Sequence, residues 1–396
     1  MAPPTAPPPP QAAAHQRDLR LDFFRGLGLL FIFVDHIPDN WVSYLTLANV
    51  VFCDAAEIFV FISGISAALV FGRLLVREGY VFAAAQALRR AWTLYVAHVF
   101  LFVIFTAQVS YAAQRWRNAL IVEEMNVTGF LEEPGVAILK ALTLQLQPMF
   151  MGILPLYIVL LAAFALLLPL LRRGLDAFLV AGGGLWFAVQ LHHWNLSTYP
   201  DGEWFHNPFS WQFLFIIGVT VGMARHVRGA TSSLLRPPPL VVSAVVLAAC
   251  VAAKLWLTLG TFIDVVPERA ADMIWRISDK TDLGVLRLVN FLALAHVVVA
   301  CVDRDARWLS SPWSAPIVRC GQHSLEIFCF GIFLSVGAHA LLAEYGRGRL
   351  SEAVVSLAGV VVLLAVAWFL AWSKRRERAP RRDEGDVKGL RAGGTP

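Results

Sequence analysis

Ten apolar runs, each close to the length that crosses a bilayer, recur along this chain at 21–37, 50–72, 91–109, 153–171, 177–191, 209–224, 240–259, 285–302, 324–343 and 354–372. A membrane-crossing helix needs about 20 residues, and backbone amides inside hydrocarbon must be satisfied within the segment itself. The pattern therefore predicts an all-α, polytopic transmembrane bundle of about ten helices. Composition supports this class over a large soluble core, since 58% of the residues are hydrophobic, 15% are charged and the mean hydropathy is +0.62. The first run follows a basic stretch, as a secretory leader would. Arg25 interrupts it, however, and no small-residue cleavage site follows, so it reads as the first membrane helix. The five cysteines lie in or beside the apolar runs without metal-ligand spacing and read as packing residues.

Lys and Arg set the orientation. With the N-terminus inside, about 22 basic residues fall on inner segments against about 8 on outer ones, which makes both termini cytoplasmic. The basic excess then requires no nucleic-acid partner; the bilayer accounts for it. The Pro/Ala-rich 1–16 and the charged, Gly/Pro-rich 374–396 lack the apolar content to fold and read as disordered tails, the second of them basic and cytoplasmic, around a transmembrane domain at 17–373. No internal repeat is visible, which removes one support for a transporter. In the outer segment after the third run, VAILKALTLQLQ has the apolar spacing of a helix lying on the membrane.

Charges inside the first run carry the functional information. It reads DFFRGLGLLFIFVDH from Asp22 to His36. Arg25 and His36 are eleven positions apart, so the two differ by about 20° around the helix and by roughly 16 Å along it. Asp22 shares that side, and Gly28 leaves it open to a close neighbour. Each intramembrane ionisable group costs about 2.5–3.5 kcal/mol on insertion scales and is a functional candidate by default. The alternative is that Arg25 reaches lipid phosphate and His36 caps the helix. The second run returns inward, which brings Asp54 and Glu57 to the depth of Asp35 and His36. Glu57 is the preferred carboxylate to orient the imidazole, and a purely structural interhelical hydrogen bond is the other reading.

The RG dipeptide, ten residues of spacing before His36, and a second helix reading FVFISG together resemble the membrane acyltransferase type 3 family. The segments AAEIFVFISG, RRAWTLYVAH, ILPLYIVLL, NPFSWQFLFIIG, KTDLGVLRLVNFLALAH and CGQHSLEIF, in that order, are similar to its OpgC branch, which succinylates osmoregulated periplasmic glucans. The resemblance implies a cytoplasmic acyl-CoA co-substrate rather than a bound cofactor, and a periplasmic glucan acceptor. It further implies that Arg25 holds the donor arm and that His36 acts in acyl transfer, as general base or through an acyl-histidine. Asp35 beside His36 enters its local hydrogen bonding.

Coenzyme A phosphates need cations at the inner face. Arg89, Arg90 and Arg319 are candidates, against the plain reading of positive-inside residues. His98 would line the donor path, with His323 and Glu326 as similar inner-end candidates. At the outer end, Lys280 and Arg287 lie where a succinyl carboxylate would be gripped, Arg287 being the chosen bidentate partner; the alternative is an interfacial snorkelling residue. The outer loop HHWNLSTYPDGEWFHNPFSW is rich in aromatics, Trp211 among them, suited to stacking on sugar rings or to an interfacial belt. Its histidines have no standard metal spacing, so no metal is expected. A transporter or flippase using the same charges as a pathway, and a scaffold using them only for packing, are the rival readings.

Overall fold

The computed structural model describes residues 18–117, 120–226, 231–262 and 266–378. Ten helices account for the ten apolar runs. They are α1 (Leu19–Asp35), α2 (Ala55–Ala67), α3 (Tyr80–Trp116), α4 (Ile153–Leu167), α5 (Leu175–His192), α6 (Pro208–His226), α7 (Leu240–Phe262), α8 (Val285–Cys301), α9 (Ser324–Tyr345) and α10 (Arg349–Arg378). Among the described residues seven helical stretches are long and apolar enough to cross a membrane, α2 and α4 being so only with their continuations to Arg77 and Leu171; α6 and α8 carry shorter apolar stretches, and α1 has 17 residues. Among the described residues there is no strand beyond an isolated bridge between Ser197 and Glu203. The chain is thus a multi-pass helical bundle.

Local signals set the helix ends that matter here. Asp18 caps α1, accepting from the Arg20 amide at 3.1 Å, and the helix stops at His36. A reciprocal capping box starts α2: Asp54 accepts from the Ala56 amide, and Glu57 accepts from the Asp54 amide, both at 2.8 Å. A π-helical turn (Ala68–Gly72) and a short helix (Arg73–Arg77) prolong α2 inward. The last helix continues to Arg378, so 374–378, assigned to a disordered tail from composition, is helical. Basic side chains such as Arg375 and Arg376 are good helix formers, and an existing helix propagates through them. The expected tails at 1–16 and 379–396 lie outside the described residues. The VAILKALTLQLQ segment forms Pro134–Leu142, which buries Ala137 and Ala141 and exposes Ile138 and Leu139.

Helix α1 packs against α2, α9 and α10 and against the short helix Ala315–Gln322. Behind it, α2 and α6 meet backbone to backbone. A Cβ on Gly64 would collide with the Phe215 carbonyl, and one on Gly218 with the Phe61 carbonyl. Small residues at such crossings let apolar helices approach closely where no hydrophobic effect drives them together. Gly64→Leu should force the pair apart at a cost of about 1–3 kcal/mol, read as a lower thermal midpoint in detergent; an unchanged midpoint would contradict this packing.

Candidate active site

An open cavity of about 440 Å³ lies between α1, α2, α3, α4 and α9, and its lining includes Arg89 and Arg90, which the Lys/Arg distribution reads as inner-side residues. Arg25 lies in its wall, and Arg89 and Arg90 stand exposed on α3 at its inner part. Ser63, Ser66, Thr93, Tyr157 and Ser324 add hydroxyls to a lining that is otherwise apolar. Arg25 donates from Nη2 to Ser66 Oγ at 2.7 Å, and Ser66 donates to the Ile62 carbonyl at 2.8 Å. The guanidinium is therefore aimed along α2 rather than toward lipid. Tyr157 donates to the Phe59 carbonyl, and the charges of Arg25 and Arg90 both reach its ring. Toward the outer side the wall consists of Phe59, Ile153 and Leu154, with the Phe59 ring packed over Gly28.

His36 does not line this cavity. It sits just beyond, half-buried at the end of α1, stacked on Phe150 with ring centroids 4.3 Å apart and an interplanar angle of 22°. Only Met151 and Gly152 lie between Phe150 and the cavity-lining Ile153, so the ring stacked on Phe150 is a few residues of chain from the cavity wall. Its Nδ1 is buried and makes no hydrogen bond among the described residues.

Around His36 lies a cluster of charges drawn from distant parts of the chain. Lys280 donates to Asp54 Oδ2 at 2.6 Å, and Arg287 Nη1 donates to Glu57 Oε1 at 2.7 Å while lying 3.5 Å from Asp54 Oδ2. Glu57 is fully buried and Arg287 nearly so. Arg287 Nε donates to the Ser278 carbonyl at 3.2 Å. Trp211 Nε1 donates to the carbonyls of Lys280 and Thr281 at 3.0 and 3.2 Å, and Asn207 Nδ2 donates to Asp282 Oδ1 at 2.7 Å. The outer ends of α6 and α8 are thereby tied to the start of α2, with Lys280 and Asp54 close enough to act electrostatically on His36. Two cations and two carboxylates offset each other within this cluster.

The OpgC protein family model matches residues 17–375, which takes in every helix from α1 through α9, most of α10, and both polar regions. The chain belongs to the OpgC protein family. No curated protein matches it. OpgC membership makes the chain a glucan-modifying transferase concerned with osmoregulated periplasmic glucans.

Several residues singled out from sequence stand differently in this OpgC-family fold. Glu57 does not orient His36, because its oxygens are taken by Arg287 and by the Asp54 amide. Asp35 accepts from Thr46 Oγ1 at 2.6 Å, which ties α1 to the loop after it. Trp211 is fully buried and presents no face to a sugar; the exposed aromatics of the outer loop are Trp194 and Phe205. His98 is fully buried on α3 and is not a lining residue of the cavity. His323 and Glu326 gather at Lys374, whose Nζ is 3.2 Å from His323 Nδ1 and 3.4 Å from Glu326 Oε1, while their neighbours Ser324 and Leu325 line the cavity. Arg319 lies on Ala315–Gln322, outside the cavity lining. The outer-loop histidines diverge: His193 pairs with Asp282 at 3.0 Å and His206 is buried. Missed from sequence were Ser63 and Ser66, one turn apart in FISGISA. Two hydroxyls on one face of an apolar helix were a legible signal.

Proposed function

We propose that this OpgC-family protein is an O-acyltransferase of the bacterial inner membrane, moving succinyl from cytoplasmic succinyl-CoA to a hydroxyl of periplasmic glucan. The observation that carries the reading is the inward-opening cavity with Arg25, Arg89 and Arg90 in its wall, ending close to His36. Its volume of about 440 Å³ suits a small-molecule ligand. Arg89 and Arg90 meet the donor's phosphates at the mouth, where cations serve as charge-assisted donors. Arg25 and the hydroxyls hold the amide-bearing arm, and the thioester arrives beside Phe59 and Ile153.

His36 then acts as general base. The sugar hydroxyl attacks the thioester carbonyl carbon and gives its proton to the imidazole. Collapse breaks the carbon–sulfur bond, and the departing thiolate takes the proton back, leaving the ester and free coenzyme A. For the carboxylate of a succinyl group, Lys280 is the better partner, since its side chain is 28% exposed while Arg287 is held by the fully buried Glu57 and lies against Asp54.

The deciding experiment supplies purified protein with succinyl-CoA and glucan and follows free thiol together with the mass of the glucan. Thiol release that depends on glucan, with succinyl increments on the product, is expected; acetyl-CoA used in preference would replace the acyl group, and no release with any acyl-CoA would remove the transferase mechanism. Arg25→Ala should raise the donor KM about tenfold, the loss of one charge-assisted contact. A KM equal to that of the parent protein would take Arg25 out of donor binding.

A further inference from the structure

His206, in the outer loop just before α6, is buried, yet neither ring nitrogen has a hydrogen-bond partner among the described residues. Leaving a buried donor unmade is costly, and such a group calls for a reason. Its surroundings locate it. The ring meets Trp211 edge-on at 4.9 Å and Phe205 at 4.9 Å. Its Nδ1 faces Gly152, where a Cβ would stand 3.4 Å from that nitrogen and 3.1 Å from Gln147 Oε1. Any side chain at 152 would crowd the space over the imidazole. Two residues before Gly152 is Phe150, the ring stacked on His36, so at most about 7 Å of chain separates the two attachment points. The two imidazoles thus flank the segment 150–152, at the head of the helix whose first residues close the cavity.

The groups whose charges reach His206 are Lys280, Asp54, Arg287 and His36. Burial, with Lys280 beside it, pushes His206 well below its ordinary pKa, against the opposing pull of Asp54. The ring is therefore neutral at physiological pH. A neutral imidazole always carries one N–H and one lone pair, and a neutral histidine whose basicity is suppressed makes a good electrophilic hydrogen-bond donor to a carbonyl oxygen.

We propose that His206 supplies the N–H that receives the developing oxyanion when the sugar oxygen adds to the thioester. This rests on the transferase reading above. His36 takes the hydroxyl proton, the carbonyl π pair moves onto oxygen, and that oxygen accepts a hydrogen bond from the neutral His206 ring. When the carbon–sulfur bond breaks, the pair returns to the carbonyl and the His206 bond relaxes, with no proton transferred at His206. The two histidines then have separate roles, His36 taking the hydroxyl proton and His206 donating to the oxyanion.

The test compares His206→Phe, which keeps an aromatic ring in the apolar slot without a donor, with His206→Gln, which keeps an N–H. For His206→Phe, kcat should fall about a hundredfold, with donor and acceptor KM within about threefold and the acid limb of the kcat/KM profile unmoved, because the titrating base is His36. His206→Gln should recover part of that loss. A purely structural role predicts equal losses in both variants, tracking their thermal midpoints, and that result overturns the proposal. So does full kcat in His206→Phe. Either outcome alongside parent-protein turnover that needs His36 leaves the transferase reading standing, whereas a parent protein that releases no thiol overturns that reading itself. Should His206→Phe not fold, His206→Gln alone decides through its kcat and pH profile, because an unchanged KM with a reduced kcat is required.

Discussion

His36→Ala is expected to lower glucan-dependent release of coenzyme A about a thousandfold while leaving the protein folded. The size follows from general-base catalysis by a positioned side chain, typically about 10²–10⁴ in rate. The tolerance follows from position. His36 lies at the end of α1, past the last helical residue, with its ring stacked on Phe150. Its Nδ1 holds no hydrogen bond that truncation would orphan in a neighbour. Lost activity with an unchanged elution profile and thermal midpoint is therefore the expected pair of readings. Unchanged release would take His36 out of the mechanism. Lost activity together with loss of the fold would favour the scaffold reading, in which the charges of α1 serve packing alone.

Arg287→Ala should be the most destabilising single change in the outer cluster, by about 3–5 kcal/mol. Glu57 is fully buried, and its Oε1 is held by this guanidinium at 2.7 Å. Removing the cation leaves a carboxylate enclosed by protein with one oxygen unmet, and its other oxygen still committed to the α2 cap. Asp54 is less affected, because Lys280 remains at 2.6 Å. The double variant Arg287→Met, Glu57→Gln removes charge from both sides and should regain much of the loss, since replacing a whole buried pair costs far less than breaking it. Thermal midpoints of Arg287→Met, Glu57→Gln and the double variant, in one detergent, form the cycle that measures this. Equal midpoints for Arg287→Ala and the parent protein would show that the pair holds nothing together.

The register of Arg25 and His36 on one helix was readable because helical geometry is local: eleven residues return to nearly the same face. Its consequence was only half legible. Arg25 does face a cavity shared with Arg89 and Arg90, but that cavity ends at Phe59, Ile153 and Leu154 before it reaches His36. Depth along a helix follows from counting residues, whereas the boundary of an empty space depends on which side chains from five helices fill it. The carboxylates show the same limit. Counting placed Asp54 and Glu57 near His36, and Asp54 does act electrostatically on it. Which group Glu57 would bond was decided by Arg287, 230 positions away.

Trp211 and His98 show the same limit. An aromatic in an outer loop and a histidine in an apolar helix each read equally well as exposed or enclosed, and both are enclosed. Trp211 became a post under the 279–284 turn, holding the carbonyls of Lys280 and Thr281. Conversely, the hydroxyl face of α2 is legible in the spacing of Ser63 and Ser66, but only the packing of α4 and α9 makes it the lining of a cavity.

By itself the amino-acid order determined the multi-pass helical class, the positions of the apolar helices, and the spacing of Arg25 and His36 along one face of the first helix. Those properties depend on hydropathy, periodicity and charge within windows of about 20 residues. Only the tertiary structure decided the pairing of Arg287 with Glu57 and Asp54, the enclosure of His206, and the limits of the cavity. Each of these is a contact among segments far apart in the chain, and in a low-dielectric interior a charge settles on whichever partner the packing brings within about 3 Å.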